Sequence, residues 1–513
     1  MNESWTVRKG EVRSRHGLVA CQNKLAADAG AAALSRGGNA VDAAVVTTLV
    51  LSVVEPWLSG IGGGGFMLRA DGATGVVEAL DFNVMSPRNL DPADYPLAEG
   101  RDGDWFDWPS VKDDNNLIGY GSICVPGTIA GLSEALARHG TISFEEALQP
   151  AIEHARKGLV VDWFTVLALA IDAAGLARYP ASAAIFLKEG RAPRAPERGV
   201  EQFLPMPAKA ETLERLAKAG ARDFYEGEIA AKLVADLAAG GSRIDARDLA
   251  TYMPRWIDPL ELSYRGLQVH AMGGLSGGPT MVEALMELDK TLPTDGPLSA
   301  QAALAFARAI RRASEHRLRA LGHAGPGSCT THVSVVDGSG TMVSLTNTLL
   351  SRFGSKVVLP QTSFLMNNGV MWFDPRPGQP NSIAPDVRPL ANMCPIIASR
   401  DGRPVLALGA AGGRQIMPSL VQLLSYIAGY GLSLEEAFTS PRIDASGVTI
   451  HVDRRARPDV TTLLSTEFPV EIVDDTLYPV NFAIPSAVMR DGEAFVGMAH
   501  PNHPWAAVGR EVE

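Results

Sequence analysis

A hydroxyl-bearing segment, Gly327-Ser328-Cys329-Thr330-Thr331-His332, leads into alternating apolar residues that predict a strand. A hydroxyl therefore begins a strand, but β-branched residues are common there, so Thr-Thr-His assigns no chemistry by itself. A second candidate is SGIGGGGFML, in which Gly60, Gly62 and Gly65 spell GxGxxG. A phosphate-binding glycine loop must open a helix so that free N–H groups meet the pyrophosphate. Here FMLRA, the turn DGATG and VVEALDF predict a β-hairpin, which removes the dinucleotide-binding reading. Gly412-Gly413, after the predicted strand PVLALGA, reads alone as a turn. Cys21, Cys124, Cys329 and Cys394 are far apart with no CxxC, indicating neither a disulfide framework nor a zinc ribbon. His323 and Cys329 invite a metal or thiol site, but with cysteines so scattered a small residue filling a turn is the better reading.

The elements that must position these residues follow from periodicity. Residues 25–54 predict two packed helices, broken at Gly37-Gly38. Residues 125–320 read as mainly helical, each helix ending in glycine, as in TIAGLSEALARHG and EIAAKLVADLAAGG. After residue 330 the pattern switches to short strands: THVSVVDGSGTMVSLTNTL, SKVVLP, SFLMNN, PVLALGA, VTIHV and AVMRDGEAFVGMA. Helices before and between the strands imply helical layers covering sheets rather than alternating βαβ units. With 513 residues, 46% of them hydrophobic and 20% charged, the chain can bury a large core. A net charge of −11 without a basic stripe excludes nucleic acid and anionic lipid as expected partners. The longest apolar run, Ala43 to Val54, is about half the roughly 20 residues of a membrane span. The opening MNESWTVRKGEVRSRHG lacks the apolar core of a secretory leader, so the expected location is cytoplasmic.

An ordered series of motifs adds what the short segments lack. GGNAVDAA (Gly37 to Ala44), EPWLSGIGGGGFML (Glu55 to Leu68), VPGTIAGL (Val125 to Leu132), FYEGEIA (Phe224 to Ala230), TTHVSVVD (Thr330 to Asp337), SLTNT (Ser344 to Thr348), RPLANMCP (Arg388 to Pro395) and GAAGG (Gly409 to Gly413) span nearly the whole chain. In this order they resemble the gamma-glutamyltransferase family of N-terminal nucleophile hydrolases. The resemblance implies a four-layer αββα sandwich. It also implies a precursor that cleaves itself between Cys329 and Thr330, giving regions 1–329 and 330–513 that stay associated. The Thr330 hydroxyl would attack the preceding carbonyl, and water would split the resulting ester. The freed α-amine, with a reference pKa of about 7.7–8.0, would then serve as base without a His–Asp pair. Thr348 matches the family threonine that supports the nucleophile, and Thr346 lies two residues earlier on the same strand face. Hairpin register alone leaves open which of them touches Thr330. Gly412 and Gly413 match the glycine pair whose N–H groups stabilise the oxyanion.

Where the family binds a free glutamyl head, this sequence departs from it. The arginine after the Asp-Phe motif becomes Asn83, the acidic position falls on Trp372, and the polar position before it falls on Gly369. The serine pair becomes Ala391-Asn392, and an asparagine beyond the supporting threonine becomes Leu350. A buried charge without its partner costs several kcal/mol, so a γ-glutamyl head is expected to bind badly. Leu350, Trp372 and Ala391 suggest a flatter or more apolar acyl group, with Asn83 and Asn392 as neutral hydrogen-bonding groups. Asp374 is a possible substitute for the lost acid, and Arg414 reads as a surface salt bridge before it reads as a carboxylate holder. The expectation is thus a self-processing amidohydrolase or acyltransferase, free of metal and cofactor, acting on a small-molecule amide with water or an amine as acceptor. A conventional glutathione hydrolase and an uncleaved binding homologue are the alternatives.

Overall fold

The computed structural model describes residues 7–102, 108–322 and 329–512; His323, Gly327 and Ser328 lie outside them. Two mainly apolar segments fold as α1 (Lys24–Ser35) and α2 (Ala40–Val54), the second buried along its whole length and capped by a box between Asn39 and Asp42. A helix that is apolar all round belongs inside a core, and α2 fills the layer beneath the first sheet.

The strands of the two large sheets, in chain order, are β1 (Val12–Ser14), β2 (Leu18–Cys21), β3 (Gly64–Ala70), β4 (Val77–Phe82), β5 (Arg255–Ile257), β6 (Leu260–Tyr264), β7 (Leu267–Ala271), β8 (Cys329–Val336), β9 (Met342–Leu350), β10 (Ile396–Arg400), β11 (Arg403–Ala411), β12 (Ile484–Asp491), β13 (Ala494–Ala499) and β14 (Ala507–Arg510). They form two seven-stranded sheets, ordered β14-β2-β8-β9-β3-β4-β5 and β1-β13-β12-β11-β10-β7-β6. Side-chain alternation sorts their faces. In β8 and β9, Val333, Val335, Val343 and Leu345 join the helical core around α1, α2 and α3 (Thr128–His139). In β10 and β11, Ile396, Ala398, Leu406 and Leu408 join a core with α4 (Gly278–Thr291), α5 (Ala300–Ala320) and α6 (Ile416–Tyr430). A third cluster, with Leu18, Phe66, Leu68, Ile397, Ala407 and Val488, lies between the sheets. Helix, sheet, sheet, helix is the αββα sandwich.

The glycine run of residues 62–65 leads into β3 rather than a helix. A Cβ on Gly63 would stand 2.0 Å from the Thr348 carbonyl oxygen and one on Gly65 2.2 Å from that of Thr346. These glycines let β3 lie directly against β9. Two expectations need correction. Residues 125–320 also contain β5, β6 and β7, three to five residues each, set between longer helices. SKVVLP and SFLMNN form no strands; Val358 and Leu365 make one isolated bridge, because this stretch turns back on itself. Among the described residues no helix is long and apolar enough to cross a membrane.

Between the sheets Gly409 of β11 meets the His332 ring of β8; a Cβ there would stand 2.2 Å from the ring's Cε1. Gly409→Ala is therefore expected to overpack the sandwich and cost about 1–3 kcal/mol, read as a lower urea midpoint with an unchanged slope.

Candidate active site

The β8–β9 register decides which hydroxyl meets Thr330. Val336 pairs with Met342, His332 with Thr346 and Thr331 with Asn347; a bulge then pairs Cys329 with Leu350. Thr330 thus falls opposite Thr348, and its Oγ1 lies 3.5 Å from Thr348 Oγ1. Both side chains are buried. The Thr348 hydroxyl also donates to the Cys329 carbonyl oxygen, and the Leu350 N–H donates to Thr348 Oγ1 at 2.8 Å. Leu350 adopts φ +82°, a rare conformation for a side-chain-bearing residue, and this turn brings its N–H back onto the hydroxyl. One hydroxyl therefore touches the carbonyl before Thr330 and the oxygen of Thr330 itself.

Thr346 has a different partner, bonding His332 Nδ1 at 2.8 Å. His332 Nε2 lies 3.0 Å from Ser334 Oγ, and burial drives the imidazole pKa down to about 3, so the ring is neutral. His332 N–H donates to Gln22 Oε1 at 2.8 Å, and Thr331 Oγ1 donates to Ser59 Oγ at 2.9 Å. Asn347 reaches Thr128 Oγ1 at 2.8 Å and the Gly64 carbonyl at 3.2 Å. Gln22, Ser59 and Thr128 were not singled out by the sequence reading. Nothing in their spacing marks them, since each bond joins segments distant in the chain.

The sheet-to-sheet contacts also place the glycine pair. Ser344 donates to the Leu408 carbonyl and His332 packs on Gly409, so moving along β9 toward Thr348 moves along β11 toward Gly412. Gly412 and Gly413 have φ values of 137° and 58°, which favour glycine, and a Cβ on Gly412 would stand 2.8 Å from Ala483 Cα. Gly413 opens a 3₁₀ turn that runs into α6. The first N–H groups of such a run have no intrahelical acceptor.

Leu350, Trp372 and Ala391 are brought together in the apolar cluster between the sheets, with Met272, Met393 and Val370. The buried Trp372 Nε1–H has no acceptor among the described residues. Asn83 is different: its amide donates to the Pro389 carbonyl at 3.2 Å and its Oδ1 accepts from Val84 N–H at 2.9 Å. Arg388 pairs with Asp81 and donates to the Met253 carbonyl at 2.8 Å, so the Asp81-Phe82-Asn83 and Arg388-Pro389-Leu390 motifs brace one another. Asn392 accepts from Arg317 Nη2 at 3.2 Å.

The family profile described as Gamma-glutamyltranspeptidase matches residues 26–325 and 320–509. The chain belongs to the gamma-glutamyltranspeptidase family. It is 33% identical over 492 residues to the Acylase ACY 1 proenzyme of Pseudomonas sp. (strain SE83), covering 88% of this chain and 86% of that one. It is 30% identical over 514 residues to the Glutathione hydrolase proenzyme of Escherichia coli (strain K12), covering 89% and 86%. The crystal structure of cephalosporin acylase from Bacillus halodurans superposes with a TM-score of 0.84 at 24% identity, over 100% of this chain and 99% of the other. That last likeness establishes the shared fold. Like its relatives, this gamma-glutamyltranspeptidase family member is an enzyme of the amidohydrolase or acyltransferase kind.

Three expectations about the acyl site change. Asn83 is a brace for the Pro389 loop, since both ends of its amide are used internally. Asp374 cannot replace the family's acid, because Arg376 grips it with Nε at 2.9 Å and Nη2 at 2.6 Å. Arg414 is no surface residue: it lines a cavity with Arg317 and Asn392, and burial lowers its pKa to about 9 against the attraction of Asp444. The glycine at 369 has a steric reason, as a Cβ there would stand 2.6 Å from Cys124 Sγ.

The neutral His332 gives this family member a pH signature. Its folded pKa, about 3, lies below the ordinary 6.5, so its contribution is present above 6.5 and lost as pH falls toward 3. Between pH 7 and pH 5 the wild type is expected to lose about 2 kcal/mol more unfolding free energy than His332→Gln, measured by urea titration.

Proposed function

We propose that this protein is a self-processing N-terminal threonine amidohydrolase or acyltransferase whose acyl group is not γ-glutamyl. The observation that carries it is the Thr348 hydroxyl, in contact with both the Thr330 hydroxyl and the Cys329 carbonyl. In the precursor, Thr330 Oγ attacks the Cys329 carbonyl carbon while the Thr348 hydroxyl stabilises the developing oxyanion. Collapse breaks the C–N bond, passes the proton given up by the Thr330 hydroxyl to the Thr330 nitrogen and leaves Cys329 esterified to Thr330 Oγ. Water then hydrolyses this ester, releasing the Cys329 carboxylate and restoring the Thr330 hydroxyl beside its free α-amine.

In the mature enzyme the neutral α-amine takes the Thr330 hydroxyl proton as the oxygen attacks the substrate amide. N–H groups at Gly412 and Gly413 hold the tetrahedral oxyanion, and the ammonium returns its proton to the leaving amine. Water, activated by the same amine, hydrolyses the acyl ester; an amine acceptor gives transfer instead. His332 takes no proton in this scheme, because burial keeps it neutral.

Interleaving supports association of the two fragments after cleavage. In the first sheet β8, β9 and β14 follow Cys329 in the chain apart from the β8 head, while β2, β3, β4 and β5 precede it; the second sheet is mixed in the same way. Separation would break both sheets. The acyl preference rests on the apolar set Leu350, Trp372 and Ala391, and on the absence of the family's counter-charges at Asn83 and Trp372. The acylase name of one relative fits this reading.

Denaturing electrophoresis with N-terminal sequencing is expected to give fragments 1–329 and 330–513, the second beginning at Thr330. Thr330→Ala is expected to abolish both processing and turnover, and Thr348→Val to slow both at least tenfold with the fold retained. Normal processing of Thr330→Ala would overturn the mechanism. The mature enzyme is further expected to hydrolyse γ-glutamyl-p-nitroanilide far more slowly than a straight-chain acyl anilide; the reverse order would favour a glutathione hydrolase.

A further inference from the structure

The loop of residues 474–483, which runs into β12, backs the glycine pair directly. A Cβ on Gly412 would stand 2.8 Å from Ala483 Cα, and the Gln415 side-chain amide donates to the Asn481 carbonyl at 2.8 Å. Both ends of the Gly412–Gln415 turn therefore rest on this loop. Asn481 closes the loop on itself by donating to the Asp474 carbonyl at 2.9 Å. Its tip is exposed at Tyr478 and Val480, so packing of the tip does not hold it.

What holds it is Asp475, whose side chain is 5% exposed. Arg442 Nη2 lies 3.5 Å and Arg455 Nη2 3.3 Å from its Oδ2, and His500 Nε2 lies 3.4 Å from its Oδ1. Its main-chain carbonyl accepts from Asn502 Nδ2 at 2.8 Å. The buried Arg442 also donates from Nη1 to Ser419 Oγ of α6 at 3.2 Å and to the Ala483 carbonyl at 3.3 Å, so one guanidinium ties α6 to both ends of the loop. His500 and Asn502 belong to the β13–β14 connection, which residues of the first fragment hold in turn: Lys9 Nζ donates to the Ala506 carbonyl at 2.6 Å, and His503 Nε2 lies 3.4 Å from Glu55 Oε1.

We propose that Asp475 is a positioning residue for the oxyanion-binding glycines. A donor to an oxyanion works through preset geometry, and its hydrogen bond weakens steeply as it is turned away. Glycines at φ 137° and 58° carry no side chain to lock them and have the widest choice of backbone angles, so their geometry must be imposed from outside. The Asp475 cluster imposes it, by fixing the surface on which Gly412 and Gln415 rest.

The inference rests on the proposed division of labour, in which Thr348 serves self-cleavage and the glycine pair serves turnover. That division supplies the test, since a displaced glycine pair slows turnover and spares processing. Wild type, Asp475→Ala, Asp475→Asn and Gln415→Met are compared for precursor conversion on denaturing gels, for acyl p-nitroanilide kinetics on the processed fraction, and for backbone hydrogen exchange. Asp475→Ala is expected to lower kcat about 10–100-fold with KM changed less than about twofold, and Asp475→Asn, which keeps an acceptor, to restore part of it. Precursor conversion keeps its wild-type rate, and exchange speeds up at residues 412–415 but not in β8 and β9. Unchanged kcat, unchanged exchange at 412–415, or processing and turnover slowed equally would each overturn the proposal. If Asp475→Ala does not fold, Gln415→Met decides by the same measures, because it cuts the last link and leaves the buried cluster whole. If the wild type cleaves no anilide, the amidohydrolase reading fails by itself and exchange still decides: faster exchange confined to 412–415 supports the positioning role, and exchange unchanged there or raised throughout refutes it.

Discussion

The Thr348 hydroxyl is the pivot of this molecule. It donates to the Cys329 carbonyl, accepts from the Leu350 N–H and lies beside the Thr330 hydroxyl, so its proton and lone pairs are oriented by groups on two strands. That orientation depends on a bulge in the β8–β9 ladder and on the positive φ of Leu350. It depends equally on β3, whose glycines allow a backbone to lie within van der Waals reach of the Thr348 carbonyl. A hydroxyl so constrained loses little entropy when a carbonyl needs polarising, which is the physical meaning of preorganisation.

The sandwich supplies the rest of the constraint. Inter-sheet packing sets β11 opposite β8 through the Gly409–His332 contact, and β11 runs on toward Gly412 and Gly413 as β9 runs on toward Thr348. Between the sheets the neutral His332 ring is bonded to Thr346 and Ser334, so that polar group is held there without charge. Leu350, Trp372 and Ala391 share one apolar cluster between the sheets.

Much of this was legible in the sequence. The α1–α2 break, the β3–β4 hairpin and the β8–β9 hairpin followed from periodicity and turn residues, and the order of motifs identified the fold. What escaped has a common physical cause. The choice of Thr348 over Thr346 needed the hairpin loop, residues 337–341, to be fixed in register. Arg414 read as a surface residue because sequence patterning carries no information on what packs over a loop. Asn83 read as a substrate contact because its partner, the Pro389 carbonyl, is distant in the chain. The strands β6 and β7 do alternate, as LELSY and LQVHA about the Arg265-Gly266 turn, but they are only five residues each and stand between long helical segments that dominate the pattern of residues 125–320.

The central claim is that one hydroxyl, that of Thr330, is the nucleophile in both self-cleavage and acyl transfer. Mass spectrometry of acid-quenched turnover tests it most directly, with a good acyl anilide in excess and the adduct mapped by fragmentation. The account predicts that the 330–513 fragment gains the mass of one acyl group, on the side-chain oxygen of its first residue. An adduct on any other residue, or turnover by a chain that remains intact at Cys329–Thr330, would contradict it.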